Sequence, residues 1–153
     1  MKNILITVSA LIGIVSINAS FAADEKSHDA TRRHEMNVMD MRTSLKLPAE
    51  MRQHQLSNMR EHVEAIKTIV ALMAENKFEK ASKTAHTKLG LTPEMQAMCD
   101  MFDNEDFRVL GRSFHKSGDD LGDALLTRDV NASLQALSET MQYCVECHAA
   151  FRQ

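Results

Sequence analysis

The sequence predicts an all-α protein folded as an antiparallel four-helix bundle, on three observations. Beyond residue 22 the chain is built largely from Ala, Leu, Met, Glu, Lys, Gln and Arg, the better helix formers. The chain has two prolines, five glycines, one tyrosine and no tryptophan, and no strand-forming run of β-branched and aromatic residues follows residue 22. Apolar residues recur at alternating spacings of three and four in segments joined by short links. Each segment then buries one stripe, and four such stripes close on one another most simply as a bundle.

Residues 1–22 read as a secretory signal rather than as part of the fold. Lys2 supplies the positive start, Ile4 to Ile17 is almost unbroken apolar chain, and Ser20 and Ala22 are the small residues a signal peptidase reads. That apolar run of about 14 residues is short for a bilayer span, which sets cleavage after Ala22 against an uncleaved anchor. No second long apolar stretch follows, so no stable membrane insertion is expected of the mature chain. Removing Lys2 with the leader, which carries no Asp or Glu, takes the formal charge from −3 to −4. A mildly acidic protein is a poor candidate for binding nucleic acid.

Residues 23–46 form a polar lead-in, with Asp24-Glu25-Lys26-Ser27-His28-Asp29 and the pair Arg32-Arg33. His34, Met36, Met39 and Met41 admit two readings. One is a soft-metal site and the other a short amphipathic segment packed on the bundle; no repeated Met-x-x-Met pattern favours the metal.

The bundle proper occupies residues 47–153. The first helix starts at Pro48, a residue suited to the first helical position, and runs to about Asn76. Leu56, Met59, Val63, Ile66, Val70 and Met73 mark its inward stripe. His54 and His62 are displaced from that stripe and are expected at the surface. The second helix runs from about Lys77 to Leu89, with Phe78, Ala81, Ala85 and Leu89 inward and Gly90 as its C-terminal cap. Residues 90–103 are a connection in which Thr92-Pro93-Glu94 starts one or two helical turns through Met101. The third long helix spans roughly Asn104 to Thr127, with Phe107, Leu110, Phe114, Leu121 and Leu125 inward and Ser117 leaving room in the same stripe. The last helix follows Asp129, a plausible N-cap, to the end, with Leu134, Leu137, Met141, Cys144, His148 and Phe151 inward.

That last helix carries the chemistry. Cys144-Val145-Glu146-Cys147-His148 is Cys-x-x-Cys-His, the attachment string of c-type haem. Two thiols add across the haem vinyl groups, and the adjoining histidine is held against the iron. Other readings fit less well. A redox Cys-x-x-Cys opens a helix after a strand, whereas this one closes a helix with no βαβ pattern before it. A zinc site needs two further paired ligands, and a disulfide between positions i and i+3 of one helix is geometrically poor. Haem attachment to this string takes place outside the bacterial cytoplasm, so the motif and the export signal together point to a periplasm. Cys99 is the third cysteine; Met95, Met98 and Phe102 around it suggest burial.

With Cys144-x-x-Cys147-His148, Arg152 and Arg52-Gln53-His54-Gln55-Leu56 in view, residues 47–152 resemble the cytochrome c′ family of four-helix-bundle cytochromes. The lead-in is longer and the second helix shorter than that pattern. The resemblance implies one haem c, covalent through thioethers to Cys144 and Cys147, with His148 as the iron ligand and hence the metal-binding residue. Arg152, one helical turn on, would lie near the proximal face. Arg52 and Gln53 would lie near the haem edge, and Leu56 over the distal face. Leucine offers no lone pair and implies five-coordinate iron open to nitric oxide or carbon monoxide. Met59, one turn beyond, is the rival, and as a ligand would give six-coordinate iron suited to electron transfer; its other reading is core packing. The implied partners are a redox partner protein or a small gas, and, since the family often dimerises through its first two helices, a second copy. No nucleophile–base pair, paired carboxylates or phosphate loop suggests a substrate-converting enzyme. One-electron transfer or gas binding at the haem is the leading expectation. The alternatives are nitric oxide capture or sensing without electron carriage, and metal handling through the Met- and His-rich stretch from His34 to His62.

Overall fold

The computed structural model describes residues 40–153, and those from Met41 onward form one unit. Residues 1–39, which include the expected signal at 1–22 and His34, Met36 and Met39 of the lead-in, lie outside the described residues. A two-residue strand, β1 (Thr43–Ser44), is followed by α1 (Ala49–Ala74), α2 (Phe78–Lys88), α3 (Pro93–Asp100), α4 (Glu105–Leu126) and α5 (Val130–Ala150), and the chain ends in β2 (Phe151–Arg152). Helices make up 77% of the described residues, which makes the fold all-α.

Side-chain caps set where three of the helices begin. The Met95 N–H donates to Thr92 Oγ1 (3.3 Å), the Phe107 N–H to Asn104 Oδ1 (2.9 Å), and the Asn131 and Ala132 N–H groups to Asp129 Oδ1 (2.8 and 3.1 Å). Each cap satisfies a donor that the first helical turn leaves without a partner. Pro48 precedes α1 with extended backbone and no side-chain cap. Asn76 (φ 56°) and Arg128 (φ 59°) turn the chain through the left-handed region at the α1–α2 and α4–α5 links. Gly90 does not: it has no positive φ. Its need for glycine is space, because a Cβ there would run into the His86 carbonyl and the Asp119 carboxylate.

The helices pack in series, α1 on α2, α2 on α4 and α4 on α5, with the short α3 against α4. Partner residues give the directions. Glu61 faces Lys88 at the far end of α2 (3.7 Å), His86 faces Asp119 (2.9 Å) while Glu79 pairs with Arg128, and the Thr140 hydroxyl donates to the Ser117 carbonyl (3.1 Å). Each of these contacts runs antiparallel. Ala81, Ala85, Leu89, Leu121 and Leu125 are fully buried between α2 and α4, and Ala65, Ile69, Met73, Phe78, Phe114 and Leu137 complete the core. The expected inward residues of the second and third long helices are thus in place, with Phe107 and Leu110 half-buried.

The outer two helices differ from expectation. On α1 the buried stripe is Gln55, His62, Ala65, Ile69 and Met73, while Val63 and Val70 are 68% and 47% exposed. On α5 it is Ser133, Leu137 and Thr140, while Leu134 and Met141 are 49% and 46% exposed. The apolar periodicity is real, but each helix is rotated so that its small and polar residues meet the neighbour it packs on. A helix with packing on one side buries the row that faces that side, whichever row is most apolar. Direct packing of α1 on α5, expected for first and last helices in a closed bundle, is not among the extensive helix contacts.

Candidate functional site

Cys144, Cys147 and His148 share one side of the last two turns of α5, since residues three and four apart on a helix are neighbours. Cys144 is half-buried and packs against the core cluster together with Tyr143. Cys147 is half-buried and His148 exposed. All three cysteines are free thiols, and Cys99, 7% exposed, is buried as expected.

Burial pushes the Cys144 thiol above its usual range. It pushes Cys147 further, up to about 11, with the charges of Cys144, Glu146 and Cys99 adding to the effect. A thiolate in the last turn of a helix also meets the negative end of the helix dipole. A thiol–disulfide exchange centre needs the opposite, a thiolate favoured by a helix N-terminus or a nearby cation. Burial thus favours the protonated form of both thiols.

The first-helix residues divide. Arg52 and Gln53 are exposed, as is His54. Leu56 and Met59 are both half-buried, so burial does not choose between them. His62, expected at the surface, is buried at 8%. Its ring packs on Phe114 (centroids 4.8 Å) and edge-on to His115 (5.4 Å). Burial first, and the neighbouring His115 second, lower its pKa to about 4. His115 is buried too; its Nδ1–H donates to the Leu89 carbonyl (2.8 Å), and burial lowers its pKa. Both imidazoles are neutral at pH 7. The signal that could have found His62 is its spacing to Gln55, Ala65 and Ile69, a helical row one residue away from the more apolar one.

Arg152 does not stand one helical turn after His148. Helix α5 stops at Ala150, and Phe151–Arg152 continue as extended chain paired in parallel with Thr43–Ser44. The guanidinium that reaches His148 is that of Arg42, whose Nη1 donates to the His148 carbonyl oxygen (3.4 Å). Sequence reading missed this residue because a contact across 106 positions leaves no local pattern.

The cysteines and His148 line neither of the two cavities found near this end of the helices. One, of about 440 Å³, lies between Thr43, Val109, Leu110, Ser113, Ala150 and Phe151; the other, of about 230 Å³, lies beside Pro48, Met51, Met101 and Phe102. The thiols lie instead on the α5 helix that also exposes Leu134, Met141 and Val145. Among the described residues no three His, Cys, Asp or Glu side chains are gathered as a bare metal ion would require. No family model, curated protein or solved structure matches the chain.

Proposed function

We propose that this is a periplasmic monohaem c-type cytochrome of the cytochrome c′ kind, with α1, α2, α4 and α5 as its four-helix bundle. The observation that carries the reading is Cys144-x-x-Cys147-His148 at the closing turns of α5, with both thiols free and half-buried and Cys144 packed against the core. Haem c fits this donor set. Cys144 and Cys147 would hold it by thioethers, and His148, exposed and next in the chain, would bind its iron. The rows left exposed on the two end helices of the series, Val63 and Val70 on α1 and Leu134, Met141 and Val145 on α5, favour the same reading. Exposed apolar rows on helices without extensive mutual packing suit a large flat apolar group. When bound, haem supplies reversible one-electron chemistry and an iron site for small gases.

The chain's own contribution is placement and screening. Cys144 and Cys147 would hold the group on a helix anchored by the buried Leu137 and Thr140. On α1 the half-buried Leu56 and Met59 would differ in what they offer the iron, Leu56 bulk alone and Met59 a thioether able to bind it. If Leu56 is the residue that screens the iron, its lack of a lone pair would leave the iron open to small gases, and the second reading, gas capture without electron carriage, rests on that. The protein is a carrier or gas binder on this account, not a substrate-converting enzyme.

The test is expression with a haem-attachment system, followed by mass spectrometry and visible spectra. One haem that stays on the chain in acidified organic solvent is the expected result; haem released on denaturation sinks the reading. The ferric spectrum should be that of five-coordinate iron, and Leu56→Ala should speed carbon monoxide binding. A sulfur-to-iron charge-transfer band abolished by Met59→Ala would reassign the distal position to Met59.

A further inference from the structure

We propose that Arg42 is a positioning residue for the iron-binding helix. The β1–β2 pair holds its guanidinium on the backbone carbonyl of His148, where it sets a fixed positive charge beside the iron ligand. This inference rests on the haem reading above.

The geometry has two independent parts. Thr43 pairs with Phe151 and Ser44 with Arg152 in parallel register, and the Leu45 N–H donates to the Arg152 carbonyl (2.9 Å). This backbone pairing brings residue 42 alongside the end of α5. The Arg42 side chain then reaches the His148 carbonyl. The last four carbonyls of a helix lack intrahelical donors and carry its negative partial charge. On α5 the Phe151 N–H takes the Cys147 carbonyl, and Arg42 takes that of His148. The extended backbone at Arg152 removes that residue from the helical row on which a cation would follow His148.

A positive charge at this point opposes the further positive charge gained when the iron is oxidised. The assignment therefore predicts a direction. Arg42→Ala should favour the ferric form, Arg42→Lys should restore most of the parent behaviour, and the difference should shrink as salt screens the exposed charge. A residue that merely tied down the chain end would show neither the rescue by lysine nor the salt dependence.

The experiment is a reductive titration of the purified holoprotein and its Arg42→Ala, Arg42→Lys and Arg152→Ala variants, at low and high salt. We expect Arg42→Ala to raise the ferric-to-ferrous ratio at a fixed ambient potential about threefold at low salt, the scale of an exposed charge pair. That equals a fall in midpoint of about 28 mV at 59 mV per decade. An unchanged midpoint in Arg42→Ala, a lysine variant that behaves like the alanine, or a shift found in Arg152→Ala alone overturns the assignment. A parent chain that carries no covalent haem overturns the haem reading and this inference together. A parent with covalent haem and a silent Arg42→Ala overturns this inference alone.

Discussion

Replacing His62 tests the packing of the helical core through its pH dependence. In the folded protein His62 titrates near 4, against an ordinary 6.5, because burial against Phe114 and His115 disfavours the imidazolium. Between those two values the unfolded chain binds a proton that the folded chain does not. Stability from this group is therefore complete above about pH 6.5 and declines as pH falls, until the folded state also protonates near pH 4. A shift from 6.5 to about 4, at 1.36 kcal/mol per unit, amounts to about 3 kcal/mol. That is a large part of the 5–15 kcal/mol typical of a domain. His115, also lowered by burial, acts in the same direction. Glu75, Glu79 and Glu105, held down by Lys77, Arg128 and Arg108, and Glu94, held down by its own backbone N–H, are exposed and lose their contributions at lower pH in any variant. His62→Leu keeps an apolar side chain of similar size on Phe114 and removes the titration. Urea unfolding followed by far-UV circular dichroism at pH values from about 7 to about 4 should show the parent losing about 3 kcal/mol more than the variant. Parallel pH profiles would refute the burial of a neutral His62.

Two further outcomes follow from contacts on α4 and thiols on α5. Gly118→Ala places a Cβ 2.5 Å from the Leu89 carbonyl oxygen, a backbone atom that cannot rotate away. Overpacking of that kind should outweigh the gain of about 1 kcal/mol in helix propensity and destabilise by about 1–2 kcal/mol net, read as a lower urea midpoint. Gly111→Ala meets only the Cys99 sulfur at 3.3 Å and should be near neutral; equal behaviour of the two variants would show that α2 and α4 are less closely apposed than described. In protein made without haem attachment, Cys147, pushed up from 9 to about 11, should alkylate with iodoacetamide about a hundredfold more slowly than an unperturbed thiol near neutral pH, with urea removing the protection. Alkylation at the rate of a free thiol in buffer alone would remove the case for a protonated, half-buried pair.

The sequence by itself determined the helices and the motif. Thr92, Asn104 and Asp129 marked three helix starts to within a residue, because an N-cap acts on N–H groups two or three positions away and so is written locally. The inward rows of α2 and α4 were legible because those helices have neighbours on two sides, and the apolar row is the buried row. The spacing of Cys144, Cys147 and His148 on one helix was local for the same reason. Tertiary structure decided what depends on which neighbour a helix has. It turned α1 so that His62, rather than Val63, lies against Phe114. It turned α5 so that Thr140, rather than Met141, meets Ser117. It ended α5 at Ala150, moving Arg152 off the helix, and carried Arg42 across the fold to His148. Propensity and periodicity fix which residues share a row, but the rotation of a row and the partners of a chain end are set by packing between segments far apart in the chain.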